Sequence, residues 1–148
     1  MDQTYKGESK KHQDLIQELI DNFKSEYEYR IDAADLEEWE EKPKLVENED
    51  NIGDGENKQP DIDAFDEEEE RCIRGEAKTG DGDIDTQHSI TQYLLFSNRY
   101  NTKNDKPSFL YIIVPAKKRQ ELNDVIVKNV PKENWENIKM VSSQKYEE

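Results

Sequence analysis

The chain has 148 residues, of which 32% are hydrophobic and 39% charged, and its formal net charge at pH 7 is -15. This length and composition fit one domain with a small core, and we expect a single domain over residues 1–148. No apolar run is long enough to span a bilayer, which excludes a membrane-spanning helix. The N-terminal residues lack the apolar stretch of a secretory signal, and Cys72 is the only cysteine. We therefore expect a cytoplasmic protein without an intramolecular disulfide.

The acidic balance also constrains the partners. The chain carries 21 Lys and Arg residues against 36 Asp and Glu residues. Non-specific affinity for nucleic acid comes mostly from basic side chains that neutralise phosphates, so this charge opposes unaided binding to long duplex DNA. It does not oppose the binding of a metal cation.

The N-terminal part of the chain predicts a helix followed by a strand. Apolar residues from Leu15 to Phe23 recur at the spacing of one helical stripe, which predicts a helix over residues 10–27. Ser9 is a suitable N-cap for it. Alternation of apolar and polar residues over 27–31 then predicts a short strand.

The next segment, residues 32–59, has no clear period. Leu45 and Val46 could form a strand fragment, and residues 47–58 are predicted to be a mobile loop. We expect frayed tails at residues 1–9 and 142–148.

The rest of the chain predicts a hairpin with strands over residues 61–65 and 71–79, followed by a helix over 86–100. A strand over 109–114, a helix over 117–129 and a strand over 138–141 come next. Asp85 or Thr86 would cap the first of these helices. Strands that alternate with helices in the second half imply an α/β fold with a mixed central sheet flanked by helices.

Three side chains with useful chemistry lie on the predicted hairpin. Asp61 follows Pro60 at the start of its first strand, and Glu76-Ala77-Lys78 ends the second strand. Side chains at positions i and i+2 of a strand share a face, so Glu76 and Lys78 project together. Asp61, on the neighbouring antiparallel strand, could point at the same place. Two carboxylates and an ammonium can bind a divalent cation and position a water molecule.

These two motifs and the order of elements resemble the PD-(D/E)xK nuclease superfamily, which has the restriction-endonuclease-like fold. The resemblance covers residues 10–141 in element order, but in residue identity it is limited to the two motifs. It implies a metal-dependent nuclease that hydrolyses phosphodiester bonds of nucleic acid, with DNA the expected substrate. It also implies that Asp61, Glu76 and the carbonyl of Ala77 hold Mg²⁺ or Mn²⁺, and that Lys78 serves the attacking water.

The resemblance implies two further site residues. Many members of the superfamily use a glutamate from the first helix, for which Glu18 is the best match. Some members have a glutamine on the helix after the motif, and Gln92 fits this role better than Gln87.

A dense basic cluster, Lys117-Lys118-Arg119, follows the buried strand predicted at residues 109–114. It could contact nucleic acid at the start of a helix, or it could be an ordinary solvated helix face. Lys103 and Lys106 could extend it into a basic patch.

Other polar residues have competing interpretations. Asp63 shares a strand face with Asp61 and competes with it as a ligand, although Pro60 favours Asp61. His88 could act at a phosphate or could simply face solvent. His12 and His88 lie far apart in the sequence without a Cys-x-x-Cys motif, which argues against a zinc site.

Two alternatives to an active nuclease remain open from the sequence. The chain could be a non-catalytic acidic interaction protein, such as a regulator or a DNA mimic. It could also be a nuclease subunit whose partner protein or second copy supplies nucleic-acid affinity. The location of the excess acidic residues discriminates a nuclease from an acidic interaction protein, because a nuclease needs those residues to lie away from Asp61, Glu76 and Lys78.

Overall fold

The computed structural model describes residues 9–148, and within them the chain forms a five-stranded mixed sheet of order β1-β2-β3-β4-β5. The strands are β1 Arg30–Ala34, β2 Ile62–Asp66, β3 Arg71–Ala77, β4 Phe109–Pro115 and β5 Ile138–Ser143. The α-helices are α1 Lys10–Asn22, α2 Gln87–Phe96 and α3 Arg119–Asn129. Strands β1 to β3 pair antiparallel, whereas β3, β4 and β5 pair parallel.

The sheet is covered by helices on both faces, as the sequence predicts. Along β4 alternate side chains belong to different cores: Tyr111 and Ile113 pack with the apolar stripe of α1, and Ile112 packs with residues of α2 and α3. Residues of β4 from Leu110 onward are buried on both faces. The predicted mixed α/β fold is therefore confirmed.

Helix α1 begins where the sequence predicts and ends earlier. The Ser9 hydroxyl accepts the N–H of His12 at 3.1 Å, which caps the first turn. The α-helical pattern ends at Asn22 and gives way to a π-helical turn, Phe23–Tyr27. Glu28 then takes a left-handed conformation with φ 55°, which turns the chain into β1. The helix predicted over 10–27 therefore has a π-helical last turn, and the strand predicted over 27–31 begins three residues later, at Arg30.

The later helices are also shorter than their predicted ranges. The Thr86 hydroxyl accepts the N–H of Ser89 at 3.0 Å and caps α2, which ends at Phe96 rather than near residue 100. Helix α3 starts at Arg119, after a 3₁₀ turn, Ala116–Lys118.

Two segments predicted to be mobile or frayed are held by hydrogen bonds in the structure. A bridge between Val46 and Lys58 closes the loop over residues 47–58, and the Asn48 amide donates to the carbonyls of Ile52 and Glu56 inside it. The loop is therefore folded on itself.

The C-terminal segment, predicted to be frayed, also makes defined contacts. Strand β5 continues to Ser143, and the Tyr146 hydroxyl donates to Asp14 of α1 at 2.7 Å. These contacts connect the segment to α1, and its fraying stays a prediction. The predicted N-terminal tail lies outside the described residues, apart from Ser9.

Among the described residues, no helix is both long enough and apolar enough to cross a membrane.

Candidate active site

A cavity of about 430 Å³ opens at the end of the sheet where β3 finishes. The segment before β2 contributes Asp61, and the end of β3 contributes Glu76 and Lys78. Helix α1 contributes His12 from its first turn, and helix α2 contributes Gln92. The structure therefore brings the three hairpin residues and Gln92 together, and we refer to this cavity as the cleft.

The register of the hairpin sets the two carboxylates against each other. The β2–β3 pairing ends at Ile62 and Gly75, and Asp61 and Glu76 are the next residue on each side. The Asp61 N–H donates to Glu76 Oε1 at 3.2 Å, and the Ala77 N–H donates to Asp61 Oδ2 at 2.9 Å. Asp61 is only 7% exposed and Glu76 only 2% exposed, so both acids lie at the bottom of the cleft.

The two buried acids have opposite pKa shifts. Burial and the negative charge of Asp61 raise the pKa of Glu76 well above its ordinary value. Burial also acts to raise the pKa of Asp61, but His12, whose Nε2 lies 3.2 Å from Asp61 Oδ2, and the Ala77 N–H together lower it. Asp61 thus favours its ionised form, whereas the protonated form of Glu76 is favoured even with the Lys78 ammonium nearby.

Lys78 lies beside Glu76 with its ammonium aimed at helix α2. Its Nζ donates to Ser89 Oγ at 3.0 Å and to Gln92 Oε1 at 2.5 Å, and it lies 3.6 Å from Glu76 Oε2. The Lys78 N–H donates to the carbonyl of Ile113 in β4, which continues the parallel pairing past the end of β3. Ser89 and Gln92 are neutral. Among the described residues, Glu76 is the one acid within ion-pair distance of the Lys78 ammonium.

The structure does not bring Glu18 into the cleft. Its carboxylate accepts hydrogen bonds from Ser143 Oγ and from the Gln144 N–H, both at 2.7 Å. Glu18 therefore ties α1 to the end of β5. His12, two turns earlier on the same helix, is the α1 residue that reaches Asp61.

Sequence reasoning missed His12 and Ser89 as cleft residues. Ser89 lies three positions before Gln92 and so shares its helix face, a spacing that could have revealed it. No comparable local pattern identifies His12, because its place depends on how α1 docks on the sheet.

The basic cluster does not line the cleft. A Cβ on Gly80, which has φ +86°, would lie 2.6 Å from Lys118 Cγ, so the Lys118 side chain packs on the loop that follows Lys78, and its Nζ lies 3.9 Å from Glu121 Oε1. Lys117 Nζ lies 3.1 Å from Glu148 Oε1, and Arg119 donates to Ser142 Oγ at 3.0 Å. Lys118 is therefore the member that contacts the loop after Lys78.

Acidic and basic groups are nearly balanced around the cleft. Its lining includes four carboxylates, two lysines and two histidines: Asp35, Asp61, Glu76, Asp83, Lys58, Lys78, His12 and His88. The Asp83 carboxylate accepts hydrogen bonds from the N–H groups of Thr79 and Gly80. Most of the 36 acidic residues thus lie elsewhere in the chain, including the exposed turn over 67–70.

The donor set suits a hard cation, although no three His, Cys, Asp or Glu side chains of the described residues are grouped for metal binding. Asp61 and Glu76 supply carboxylate oxygens. The N–H and C=O of one strand residue point the same way, so the Ala77 carbonyl faces the Asp61 side, toward which its N–H donates. Mg²⁺ requires only one or two carboxylates together with waters, which two acids and a carbonyl can satisfy.

Comparison with protein-family models, with curated proteins and with solved structures returns no match for this chain.

Proposed function

We propose that this protein is a metal-dependent nuclease of the PD-(D/E)xK kind, with the restriction-endonuclease-like fold, and that it hydrolyses phosphodiester bonds of nucleic acid. One observation carries the proposal: two buried carboxylates, Asp61 and Glu76, lie side by side next to the buried Lys78. Like charges directly opposite in a sheet are destabilising. A costly arrangement at the bottom of an open cleft is typical of a functional site.

Asp61, Glu76 and the Ala77 carbonyl would hold Mg²⁺ or Mn²⁺ in this proposal. When bound, such an ion lowers the pKa of a coordinated water and offsets charge on the phosphate. The raised pKa of Glu76 supports the assignment, because a proton there occupies the place of the missing positive charge.

Lys78 would orient the attacking water with its remaining N–H. Ser89 and Gln92, both uncharged, accept from its other two N–H groups. The water oxygen would form the new bond to phosphorus while the water loses a proton to solvent. The bond from phosphorus to the leaving oxygen would break, and that oxygen would take a proton from solvent. Preorganised donors of this kind are among the largest contributions to catalysis.

The substrate in this proposal is nucleic acid, with DNA favoured. With a net charge of -15, affinity for long duplexes would be low, so a protein partner or a second copy could supply it. The same charge favours the alternative of a non-catalytic acidic interaction protein, which would bind a basic protein surface and cleave nothing.

Cleavage assays on single-stranded DNA, duplex DNA and RNA, with Mg²⁺, Mn²⁺ or chelator, test the proposal. We expect metal-dependent cleavage that Lys78→Met lowers by about 10² or more, the size of losing one electrostatic group. Lys132→Met, at an exposed position outside the cleft, serves as the matched control and should cleave as wild type does. Equal cleavage by Lys78→Met and wild type, or an inactive wild type with every metal, would reject the proposal.

A further inference from the structure

A second lysine, Lys58, is buried at the wall of the cleft against His88. Lys58 is 2% exposed, and its Nζ lies 2.7 Å from Asp54 Oδ2 and 2.6 Å from His88 Nδ1. Glu56 Oε1 is 3.9 Å away. Both Lys58 and His88 line the same cavity as Asp61, Glu76 and Lys78.

The loop over residues 47–58 is fastened to α2 in a way that fixes this contact. Val46 and Lys58 exchange backbone hydrogen bonds of 2.7 and 3.1 Å, which close the loop. The Asp54 N–H donates to Thr91 Oγ1 at 3.0 Å, one helical turn after His88. Gly53 has φ +58°, and a Cβ there would lie 2.2 Å from Thr91 Oγ1, so only glycine allows this docking. The loop thus delivers both Lys58 and Asp54 to His88.

Hydrogen-bond logic determines the state of the imidazole. An ammonium can only donate, so His88 Nδ1, 2.6 Å from Lys58 Nζ, must accept. An imidazole that accepts at Nδ1 is neutral and carries its proton on Nε2. Burial, followed by the charges of Lys58 and Lys78, lowers the pKa of His88, while Asp54 and Glu56 oppose this shift.

The proton on Nε2 remains available to a ligand. His88 is exposed at the rim of the cleft. Among the described residues, Lys58 forms the hydrogen bond to its ring. A neutral N–H donor at this place suits a phosphate oxygen, because its donation does not depend on protonation of the ring near neutral pH.

We propose that His88 donates a hydrogen bond from Nε2 to a phosphate oxygen of the substrate, and that Lys58 is a positioning residue that fixes the required tautomer. The inference rests on the proposed nuclease function and adds to it a phosphate contact on the α2 side of the cleft.

Nitrogen NMR of the full chain labelled on histidine tests the arrangement without any activity. The chain contains only two histidines, so comparison with His88→Gln assigns the signals. We expect Nδ1 of His88 to be unprotonated, and Lys58→Met to raise the pH at which the ring titrates. A proton on Nδ1 in the wild type would overturn the proposal, as would identical titration in wild type and Lys58→Met.

Inorganic phosphate serves as the probe of binding in the same samples. Its addition should shift the His88 Nε2 signal, and Lys58→Met should weaken that response. An unmoved His88 signal would overturn the phosphate contact. A shifted signal in a protein that cleaves no nucleic acid would leave this contact standing and reject the nuclease function instead.

Cleavage rates of His88 variants provide the third test of the proposal. His88→Ala should lower cleavage on the order of 10², as expected for losing one preorganised donor. Glutamine can place an N–H near the position of Nε2, whereas the shorter asparagine cannot, so His88→Gln should retain more activity than His88→Asn. Equal rates for the glutamine, asparagine and alanine variants would contradict a donor role for His88.

Discussion

Two acidic positions, one in β2 and one just before it, have different surroundings. Asp63 pairs in register with Arg74 of β3. Asp61, two residues earlier, donates its N–H to Glu76 Oε1 at 3.2 Å. The Arg74 guanidinium also donates to Ser108 Oγ at 3.2 Å and to the carbonyl of Tyr100 at 2.7 Å, which ties β3 to the loops after α2. Asp63 therefore has a basic residue opposite it, although burial raises the pKa of its carboxyl group. Asp61 instead has a second carboxyl group, that of Glu76, beside it.

Under the proposed function, the difference marks the position where the chemistry of the cleft conflicts with stability. Acid facing base is the ordinary stabilising pair of an antiparallel sheet. For Glu76, burial and the adjacent Asp61 outweigh the charges of Lys78 and His12, because its pKa is raised. Real proteins keep such conflicts chiefly at functional sites. The following variants test whether the two positions differ in this way, beginning with the largest expected effect.

Arg74→Met should destabilise the fold strongly and leave the cleft chemistry alone. The side chain is 4% exposed, and its loss removes a buried donor from two carbonyls and one hydroxyl. We expect a loss of about 3 kcal/mol in the free energy of unfolding, measured in urea, because each orphaned buried group costs roughly 1–3 kcal/mol. Arg99→Met, at an exposed position, is the control. A loss no larger than that of the control would remove the structural role given to Arg74.

Unlike Arg74→Met, Glu76→Gln should stabilise the metal-free protein, at pH values above the ordinary pKa of a glutamate. Because the pKa of Glu76 is raised in the folded state, the stability that it contributes is present at low pH and is lost as the pH rises through the folded pKa. The gain in the variant should therefore grow as the pH rises above the ordinary glutamate pKa and reach on the order of 1 kcal/mol.

Asp61→Asn provides the contrast within the same pair. The pKa of Asp61 is lowered, so its contribution is present at neutral pH and is lost as the pH falls through the folded value. This variant should be less stable than wild type near neutral pH. Thermal unfolding across the pH range measures the stability of both variants. Parallel curves of stability against pH for wild type, Glu76→Gln and Asp61→Asn would contradict the account of the pair.

Charge reversal in the basic cluster should have the smallest effect. Lys118 packs on Gly80 in the loop after Lys78, whereas Lys117 and Arg119 contact the C-terminal part of the chain. Lys118→Glu should lower cleavage at low salt by tenfold or less, on the order of one lost phosphate contact, and the loss should fade as salt increases. Lys128→Glu, on the last turn of α3, is the control. Equal losses in these two variants would remove Lys118 from the substrate path.

Local sequence patterns predicted the elements and the centre of the site. Alternation over the β2–β3 hairpin and the i, i+2 spacing of Glu76 and Lys78 suffice to place these side chains on one face. The Ser9 and Thr86 caps were visible in the sequence for the same reason, since a cap depends only on residues within one turn.

Features that depend on long-range docking could not be predicted in this way. His12 reaches Asp61 across 49 positions of sequence only because α1 packs on the sheet at one particular angle. Lys58 reaches His88 only because the loop over 47–58 docks on Thr91. Helix periodicity alone did not distinguish Glu18, which faces β5, from the residue of α1 that faces the cleft.

The most direct test of the central claim is a calorimetric titration of Mn²⁺ into the metal-free protein. We expect binding that Asp61→Ala and Glu76→Ala each weaken and that the matched variant Asp63→Asn leaves unchanged. Because Glu76 favours its protonated form without a cation, binding should also release protons and strengthen as the pH rises. Equal Mn²⁺ affinity in the wild type and in the double variant of Asp61 and Glu76 would contradict the claim that this cleft is a metal site.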